Sequence, residues 1–201
     1  LNFAYGQFYQ TPGKDFLMWT KDFDFERATH YIFNYQYIGA RRTFRIEAYY
    51  KDYDQLTKGT VFTHPYFELP QVEFSNGGKG YAKGIDIFWK DNETFDFGYY
   101  WLSYTYLDTK REYLNYPTLA SPPFSTPHTF SAVFKYWLND ITTNVGITYS
   151  FATGRPYFNP NNPVFLGDKA KNYHNVSLNL SYITNLFNNF TVVFFSVDNL
   201  I

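Results

Sequence analysis

Apolar and polar residues alternate strictly along the stretch from Tyr173 to Val197. In its first half Val176, Leu178, Leu180 and Tyr182 alternate with Ser177, Asn179 and Ser181. A period of two residues predicts a β-strand with one apolar and one polar face. Asn188-Asn189 tolerates positive φ and predicts a tight turn, after which the chain returns as a second, aromatic strand. A two-faced hairpin is therefore the predicted repeating unit.

Seven further strands follow from the same pattern, at 1–9, 28–38, 43–54, 81–90, 95–108, 128–138 and 142–152. Their connections alternate between long and short. The predicted long loops are 11–27, about 56–80, 109–127 and 153–171. The predicted short turns are 39–42, 91–93 and 139–140, and Gly77-Gly78-Lys79-Gly80 is assigned to turn chemistry. The faces of strand 95–108 stay unassigned, because it is aromatic on both.

The lengths of the strands and the alternation of long and short connections indicate whether the apolar face contacts lipid or a protein core. An apolar band of about 25 Å needs roughly eleven residues of tilted strand, and the predicted strands have about nine to fourteen. Short turns at one end and long loops at the other are typical of outer-membrane barrels. The predicted fold is all-β, an antiparallel up-and-down transmembrane β-barrel, of which this chain supplies about nine strands.

Composition supports this prediction. The chain has 23 Phe, 21 Tyr and 4 Trp, so 24% of its residues are aromatic. Rings near strand ends form girdles at the two membrane interfaces; the candidates are Tyr37, Tyr50, Trp89, Tyr136 and Trp137. The charge balance is nearly even, with 17 Lys+Arg and 18 Asp+Glu, so no polyanion such as a nucleic acid is implied as a partner. A mean hydropathy of -0.40 fits a barrel wall with a polar lumen side.

The odd strand number predicts a fragment. An open sheet edge is costly in hydrocarbon, and bacterial single-chain barrels have even strand numbers. We therefore expect an N-terminal part and at least one closing strand outside residues 1–201, which form part of a single barrel domain.

Several segments carry a resemblance to a known family. They are 4–12 (AYGQFYQTP), 26–31 (ERATHY), 80–86 (GYAKGID), 103–106 (SYTY), 152–157 (ATGRPY) and 196–200 (SVDNL). In this order and spacing the chain resembles the C-terminal barrel portion of a TonB-dependent outer-membrane receptor of the Bacteroidetes type. The last of these segments resembles the penultimate strand of such a barrel.

The resemblance implies a barrel of about 22 strands around an N-terminal plug, located in the cell outer membrane. It implies active import of a siderophore, vitamin or glycan with TonB-supplied energy, and no enzyme activity. The implied partners are outer-membrane lipid, the receptor's own plug domain and the TonB–ExbB–ExbD complex, reached through an N-terminal segment that this chain lacks. A surface lipoprotein is a further candidate partner, and no cofactor is expected.

Two sets of side chains are candidate functional residues. The first is expected to face the lumen, where it would contact the plug or line the ligand route: Arg45, Glu47, Lys51, Asp86 and Lys90. The alternative is a solvated wall whose charges pair with one another. The second set lies in the loops, where rings and a forked guanidinium suit glycans or anionic chelates: Tyr66, Tyr113, Tyr116, Arg155 and Tyr157. The alternative for these is loop packing.

No metal or catalytic site is predicted. His30, His64, His128 and His174 lie on separate segments without metal-binding spacing, and no nucleophile motif occurs. Two alternatives to the receptor remain: another outer-membrane barrel such as a porin, and a soluble, secreted β-sandwich that binds carbohydrate. The sandwich would pack Val145, Ile147, Leu178 and Leu180 into a closed interior.

Overall fold

The described residues form one large antiparallel sheet of nine strands. The structure is a computed structural model that describes residues 1–18, 23–63 and 70–201. Its strands are β1 (Asn2–Gln10), β2 (Glu26–Ile38), β3 (Arg42–Thr63), β4 (Pro70–Phe95), β5 (Gly98–Glu112), β6 (His128–Leu138), β7 (Thr143–Ala152), β8 (Pro156–Tyr157), β9 (Asp168–Lys169), β10 (Tyr173–Leu186) and β11 (Asn189–Val197). A four-residue helix α1 (Lys14–Leu17) follows β1, and a 3-10 turn (Asn139–Ile141) follows β6. No helix among the described residues is long and apolar enough to cross a bilayer.

Each strand pairs with its neighbours along the chain, in the order β1-β2-β3-β4-β5-β6-β7-β10-β11. The small β8–β9 hairpin forms a separate two-stranded sheet between β7 and β10. The nine predicted strands and their up-and-down order are therefore confirmed. Short connections, at 39–41, 96–97, 139–142 and 187–188, define the short-turn end of the sheet. The longer segments 113–127 and 153–172, residues 11–18 and 23–25, and the far ends of β3 and β4 lie at the opposite, loop end.

The register sorts the residues into two unlike faces. One row across seven strands reads Tyr35, Ile46, Ile87, Tyr104, Phe130, Phe151 and His174. The adjacent row, on the other face, reads Gln36, Arg45, Phe88, Ser103, Ser131, Ser150 and Asn175. We name these the apolar face and the polar face. The pairing also settles β5, which places Leu102 and Tyr104 on the apolar face and Trp101 and Ser103 on the polar face.

The apolar face is not covered by a second layer within the described residues. Ile147 is 41% exposed, and Val145, Leu178 and Leu180 are only half-buried. The buried hydrophobic side chains of the described part are few, namely Leu56, Ala82, Tyr116, Ala120 and Leu166. The soluble β-sandwich alternative is therefore wrong, because the side chains it would bury lie on an open sheet face.

The predicted long loop at 56–80 is also wrong. β3 and β4 are 22 and 26 residues long and continue as a two-stranded arm, residues 56–63 and 70–78, beyond the rest of the sheet. The register shifts between Tyr53 and Leu56 and again between Leu56 and Lys58, and Gln55 has a φ of 56°. Such bulges interrupt the period of two. The alternation of apolar and polar residues therefore did not predict that the strand continues.

The glycines of 77–80 lie inside β4 and do not form a turn. Cβ atoms added at Gly78 and Gly80 would lie 2.6 Å from the carbonyl oxygens of Leu56 and Lys110 respectively. Glycine is therefore required by close approach of neighbouring strands rather than by turn geometry.

Three smaller expectations change as well. β4 passes the predicted turn at 91–93 and turns at 96–97, with a register irregularity after Asp91. The last turn is Phe187-Asn188, both at positive φ, one residue earlier than predicted. Trp137 pairs with Asn144 on the polar face, whereas Tyr37, Tyr50, Trp89 and Tyr136 lie on the apolar face.

Candidate functional site

The apolar face carries an uncharged band between ion pairs. Towards the loop end, Lys83 Nζ lies 3.3 Å from Asp108 Oδ2, and Arg27 pairs with Asp54. Towards the short-turn end, Arg42 Nε lies 3.0 Å from Asp91 Oδ2. Asp52, on the apolar face of β3, also lies at the loop-end limit. Between these limits, no Asp, Glu, Lys or Arg occurs at the apolar-face positions of the nine sheet strands, all of which the structure describes.

The height of this band matches a membrane. On β3 it runs from Arg42 to Asp52, which at about 3.3 Å per residue is roughly 33 Å along the strand and roughly 23 Å across a bilayer at 45° tilt. Outer-membrane barrels present an apolar band of about 25 Å. The apolar face therefore has the length and chemistry to contact lipid.

Asp91 closes the short-turn side of this band. Its carboxylate accepts hydrogen bonds from the backbone amides of Glu93 and Thr94, from the Thr94 hydroxyl and from Arg42. Burial alone would raise the pKa of Asp91, but these four donors outweigh burial and hold its pKa below the ordinary range. The side chain stays ionised and fixes the irregular end of β4 to β3.

The five residues expected to face the lumen all lie on the polar face. Glu47 accepts a hydrogen bond from Asn34 Nδ2 at 3.1 Å. Within the described residues none of the five charges forms an ion pair. Their cations lie instead over aromatic rings: Arg45 over Phe88 at 5.7 Å, Lys51 over Tyr49 at 5.1 Å and Lys90 over Tyr99 at 5.9 Å. The structure thus brings them to one face, while their contact with a plug remains a prediction.

The predicted loop residues separate into different surroundings. Tyr113 and Tyr116 pack edge to face at 4.9 Å, and Tyr116 packs in the same way on Phe165 at 5.0 Å. Tyr116 is 8% exposed, and its burial, with Tyr113 beside it, raises the pKa of its hydroxyl to about 12. This aromatic cluster joins segment 113–127 to segment 153–172.

Arg155 and Tyr157 lie apart from that cluster. The Arg155 carbonyl accepts the Ala170 amide at the base of the β8–β9 hairpin, beside a cavity of about 410 Å³. Tyr157 pairs with Asp168 and is 47% exposed. Tyr66 and His64 lie outside the described residues. A ligand role for Tyr66, Tyr113, Tyr116, Arg155 and Tyr157 therefore stays a prediction.

A second set of residues, which the sequence pattern did not single out, forms a cavity on the polar face at the loop end. Tyr53, Gly80 and Arg111 are register neighbours on β3, β4 and β5. The Arg111 guanidinium lies over the Tyr53 ring at 4.5 Å, above the backbone of Gly80. A cavity of about 260 Å³ opens beside this pair.

One signal for this site was present in the sequence. Gly78, Gly80, Ala82 and Gly84 recur at every second position of β4 and so share the polar face. Long side chains of the neighbouring strands lie over them: a Cβ at Gly84 would meet Tyr49 Oη at 2.4 Å, and one at Gly80 would meet Arg111 Cγ at 2.9 Å. Small residues at period two indicate a strand crossed by its neighbours' side chains.

Comparison with known proteins agrees with this geometry. The family described as "TonB dependent receptor-like, beta-barrel" matches residues 1–200. No curated protein matches the chain. Among solved structures, the outer membrane transporter YddB from Escherichia coli superposes with a TM-score of 0.67 at 12% identity over 90% of this chain. The chain spans 29% of that transporter's length, and the likeness concerns the fold.

Proposed function

Because this chain belongs to the TonB-dependent receptor-like β-barrel family, we propose that it forms part of the wall of a receptor that actively imports a scarce ligand. The family is one of outer-membrane transport receptors, which fixes the compartment. The ligand belongs to the siderophore, vitamin or glycan class, and the energy comes from the inner membrane through TonB. The observation that carries the proposal is the division of the sheet into an uncharged apolar band and a charged polar face.

The wall acts through its two surfaces. The apolar face contacts outer-membrane lipid, where every backbone group must be paired within the sheet. The polar face borders the lumen and offers Arg45, Glu47, Lys51, Asp86 and Lys90 to a plug or to a passing ligand. Since these charges have no ion-pair partner among the described residues, they can hydrogen-bond to groups that enter the lumen.

Energy coupling in this family depends on further parts of the receptor. A plug domain and an N-terminal segment that contacts TonB–ExbB–ExbD are proposed partners on the basis of the family. The loop end, with the aromatic cluster and the β3–β4 arm, is the proposed outer surface, and a surface lipoprotein is a candidate partner there. The Bacteroidetes type proposed from the resemblance rests on the sequence segments alone.

Uptake assays separate this function from a passive porin. We would delete the receptor gene, or tonB, and measure uptake of ferric siderophores, cyanocobalamin and maltooligosaccharides. The proposal predicts that uptake of at least one probe is lost in both deletions and is restored by the receptor gene. Uptake of small hydrophilic solutes according to size, unchanged by loss of tonB, would contradict it and favour a porin.

A further inference from the structure

Arg111 is the best-placed side chain for a ligand at the loop end. It lies near the end of β5, on the polar face, with Gly80 directly beside it on β4. A Cβ at Gly80 would lie 2.9 Å from Arg111 Cγ. The absence of a side chain there lets the arginine lie across β4 and reach Tyr53 on β3.

Aromatic rings hold the guanidinium in place. Arg111 Cζ lies 4.5 Å from the Tyr53 ring centroid, 5.4 Å from that of Phe124 and 5.6 Å from that of Tyr113. Such contacts attract the cation through the ring faces. They do not satisfy its N–H groups, and the buried Nε of Arg111 has no hydrogen-bond partner among the described residues.

Three acidic residues near Tyr53 and Arg111 in sequence, all on the apolar face, are engaged elsewhere. Asp54 pairs with Arg27, Glu112 with Lys58, and Asp108 with Lys83. Glu26 Oε1 accepts the Thr57 amide at 2.8 Å. Within the described part of the chain, Arg111 forms no ion pair. Its five-donor fork, which matches planar oxyanions, is therefore held rigidly without an anion.

The adjoining cavity shows what size of group would fit. It measures about 260 Å³ and is lined by Phe8, Gln10, Glu26, Tyr53, Leu56 and Arg111, among others. Rings and a leucine give apolar walls, while Gln10 and Glu26 Oε2, which does not accept from the Thr57 amide, offer acceptors for hydroxyl groups. Because pockets that hold a whole drug-sized ligand measure about 300–1,000 Å³, the cavity suits one terminal unit of a ligand rather than the whole.

We propose that Arg111 binds a carboxylate of the imported ligand, and that Gln10 and Glu26 bind hydroxyl groups beside it. The ligand is thus a hydroxy acid, either an acidic sugar chain or a metal chelate built from hydroxycarboxylates. This inference rests on the proposed import function and adds the chemistry of the ligand to it.

The test measures binding to the purified full-length receptor in detergent, with an oligogalacturonate, its neutral galactose counterpart and ferric citrate as probes. The unsubstituted receptor is expected to bind one acidic probe and to prefer it to the neutral sugar. Arg111→Gln should weaken that binding about 10- to 100-fold, as loss of a charged hydrogen bond predicts, and Arg111→Lys should restore part of it. The probe that binds identifies the source of the carboxylate.

Lys110→Gln is the matched control, because Lys110 neighbours Arg111 but points to the opposite face of β5. The affinity of this variant for the acidic probe should change less than about twofold. Heat-modified migration on gels confirms that each variant barrel is folded. No binding of either acidic probe, or equal binding by Arg111→Gln, overturns the inference. TonB-dependent uptake would survive that outcome, whereas TonB-independent uptake would overturn the import function itself.

Discussion

Arg42 Nε lies 3.0 Å from Asp91 Oδ2, and this contact joins the first residue of β3 to the point where β4 loses its regular register. The Asp91 side chain is only 2% exposed, yet it lies beyond Trp89, outside the uncharged band. It therefore acts as a fixed anchor at the membrane boundary, with all its donors supplied by the short-turn end.

Replacing this anchor should loosen the short-turn end. Asp91→Ala removes the acceptor of four hydrogen bonds and is expected to lower the urea concentration at which the barrel unfolds in detergent. Glu93→Ala is the control, because Glu93 is half exposed and its ion pair with Arg42 is the longer one, at 3.4 Å. The urea midpoint of this variant should stay near that of the unsubstituted protein. Equal midpoints for Asp91→Ala and the unsubstituted protein would show that the anchor is not needed.

The same carboxylate gives a pH dependence. Its pKa is lower in the folded state than in the unfolded state, so its stabilisation is complete well above the ordinary Asp value and is lost as pH falls below about 4. The difference in unfolding midpoint between the unsubstituted protein and Asp91→Ala should therefore shrink from about pH 5 to about pH 3, across the ordinary Asp pKa. A difference that grows on acidification would contradict this assignment.

A charge on β5 should distinguish the two faces. Leu102→Arg places a cation on the apolar face and is expected to cost about 2–4 kcal/mol of unfolding free energy in lipid vesicles. Ser103→Arg places the same charge one residue away on the polar face and should cost less than about 1 kcal/mol. Similar losses for both variants would contradict the assignment of faces on this strand.

Gly84 should not tolerate a side chain. A Cβ there would lie 2.4 Å from both the Tyr106 carbonyl oxygen and Tyr49 Oη, so Gly84→Ala is expected to cost roughly 1–3 kcal/mol of unfolding free energy. Gly146→Ala is the control, because its Cβ would meet no atom closer than 3.7 Å. Tyr49→Leu should rescue Gly84→Ala only in part, since the contact with the backbone carbonyl remains.

The aromatic cluster should protect the loops from protease. Phe165→Ala removes the ring that packs on Tyr116, a contact of about 0.5–1.5 kcal/mol beyond buried area. Trypsin added to intact cells is expected to cleave segment 153–172 about fivefold faster in this variant. Tyr157→Ala, which removes an exposed ring, should leave the rate unchanged, and unchanged cleavage of Phe165→Ala would show that the cluster does not order the loops.

The sequence pattern predicted the strands and their two faces correctly where a strand is regular. Along β10 each apolar residue from Val176 to Tyr182 lies on one face, because apolar residues recur at every second position and side chains alternate between the faces with the same period. The pattern failed at bulges. Gln55 at positive φ shifts the register of β3, and the apolar alternation no longer marks a continuous strand.

The site depends on contacts that no local pattern encodes. Arg111 and Tyr53 meet only because β3 and β5 flank the same glycine on β4, and that relation appears once the register of three strands is known. The period-two spacing of Gly78, Gly80 and Gly84 is typical of a crowded strand face, but the sequence analysis assigned 77–80 to a turn, and the spacing does not identify which side chains cross the strand. Likewise, the packing of Tyr116 on Phe165 joins two loops distant in sequence.

Single-cysteine scanning can locate the lipid-facing side of β5 residue by residue, because the chain contains no native Cys. We would place a spin label at each position from Leu102 to Tyr106 in the receptor in lipid vesicles and measure accessibility to oxygen and to a water-soluble nickel chelate. A lipid-facing apolar band predicts high oxygen accessibility at 102, 104 and 106 and lower values at 103 and 105. Accessibility without this period of two, or a pattern with the opposite phase, would contradict a lipid-facing apolar band.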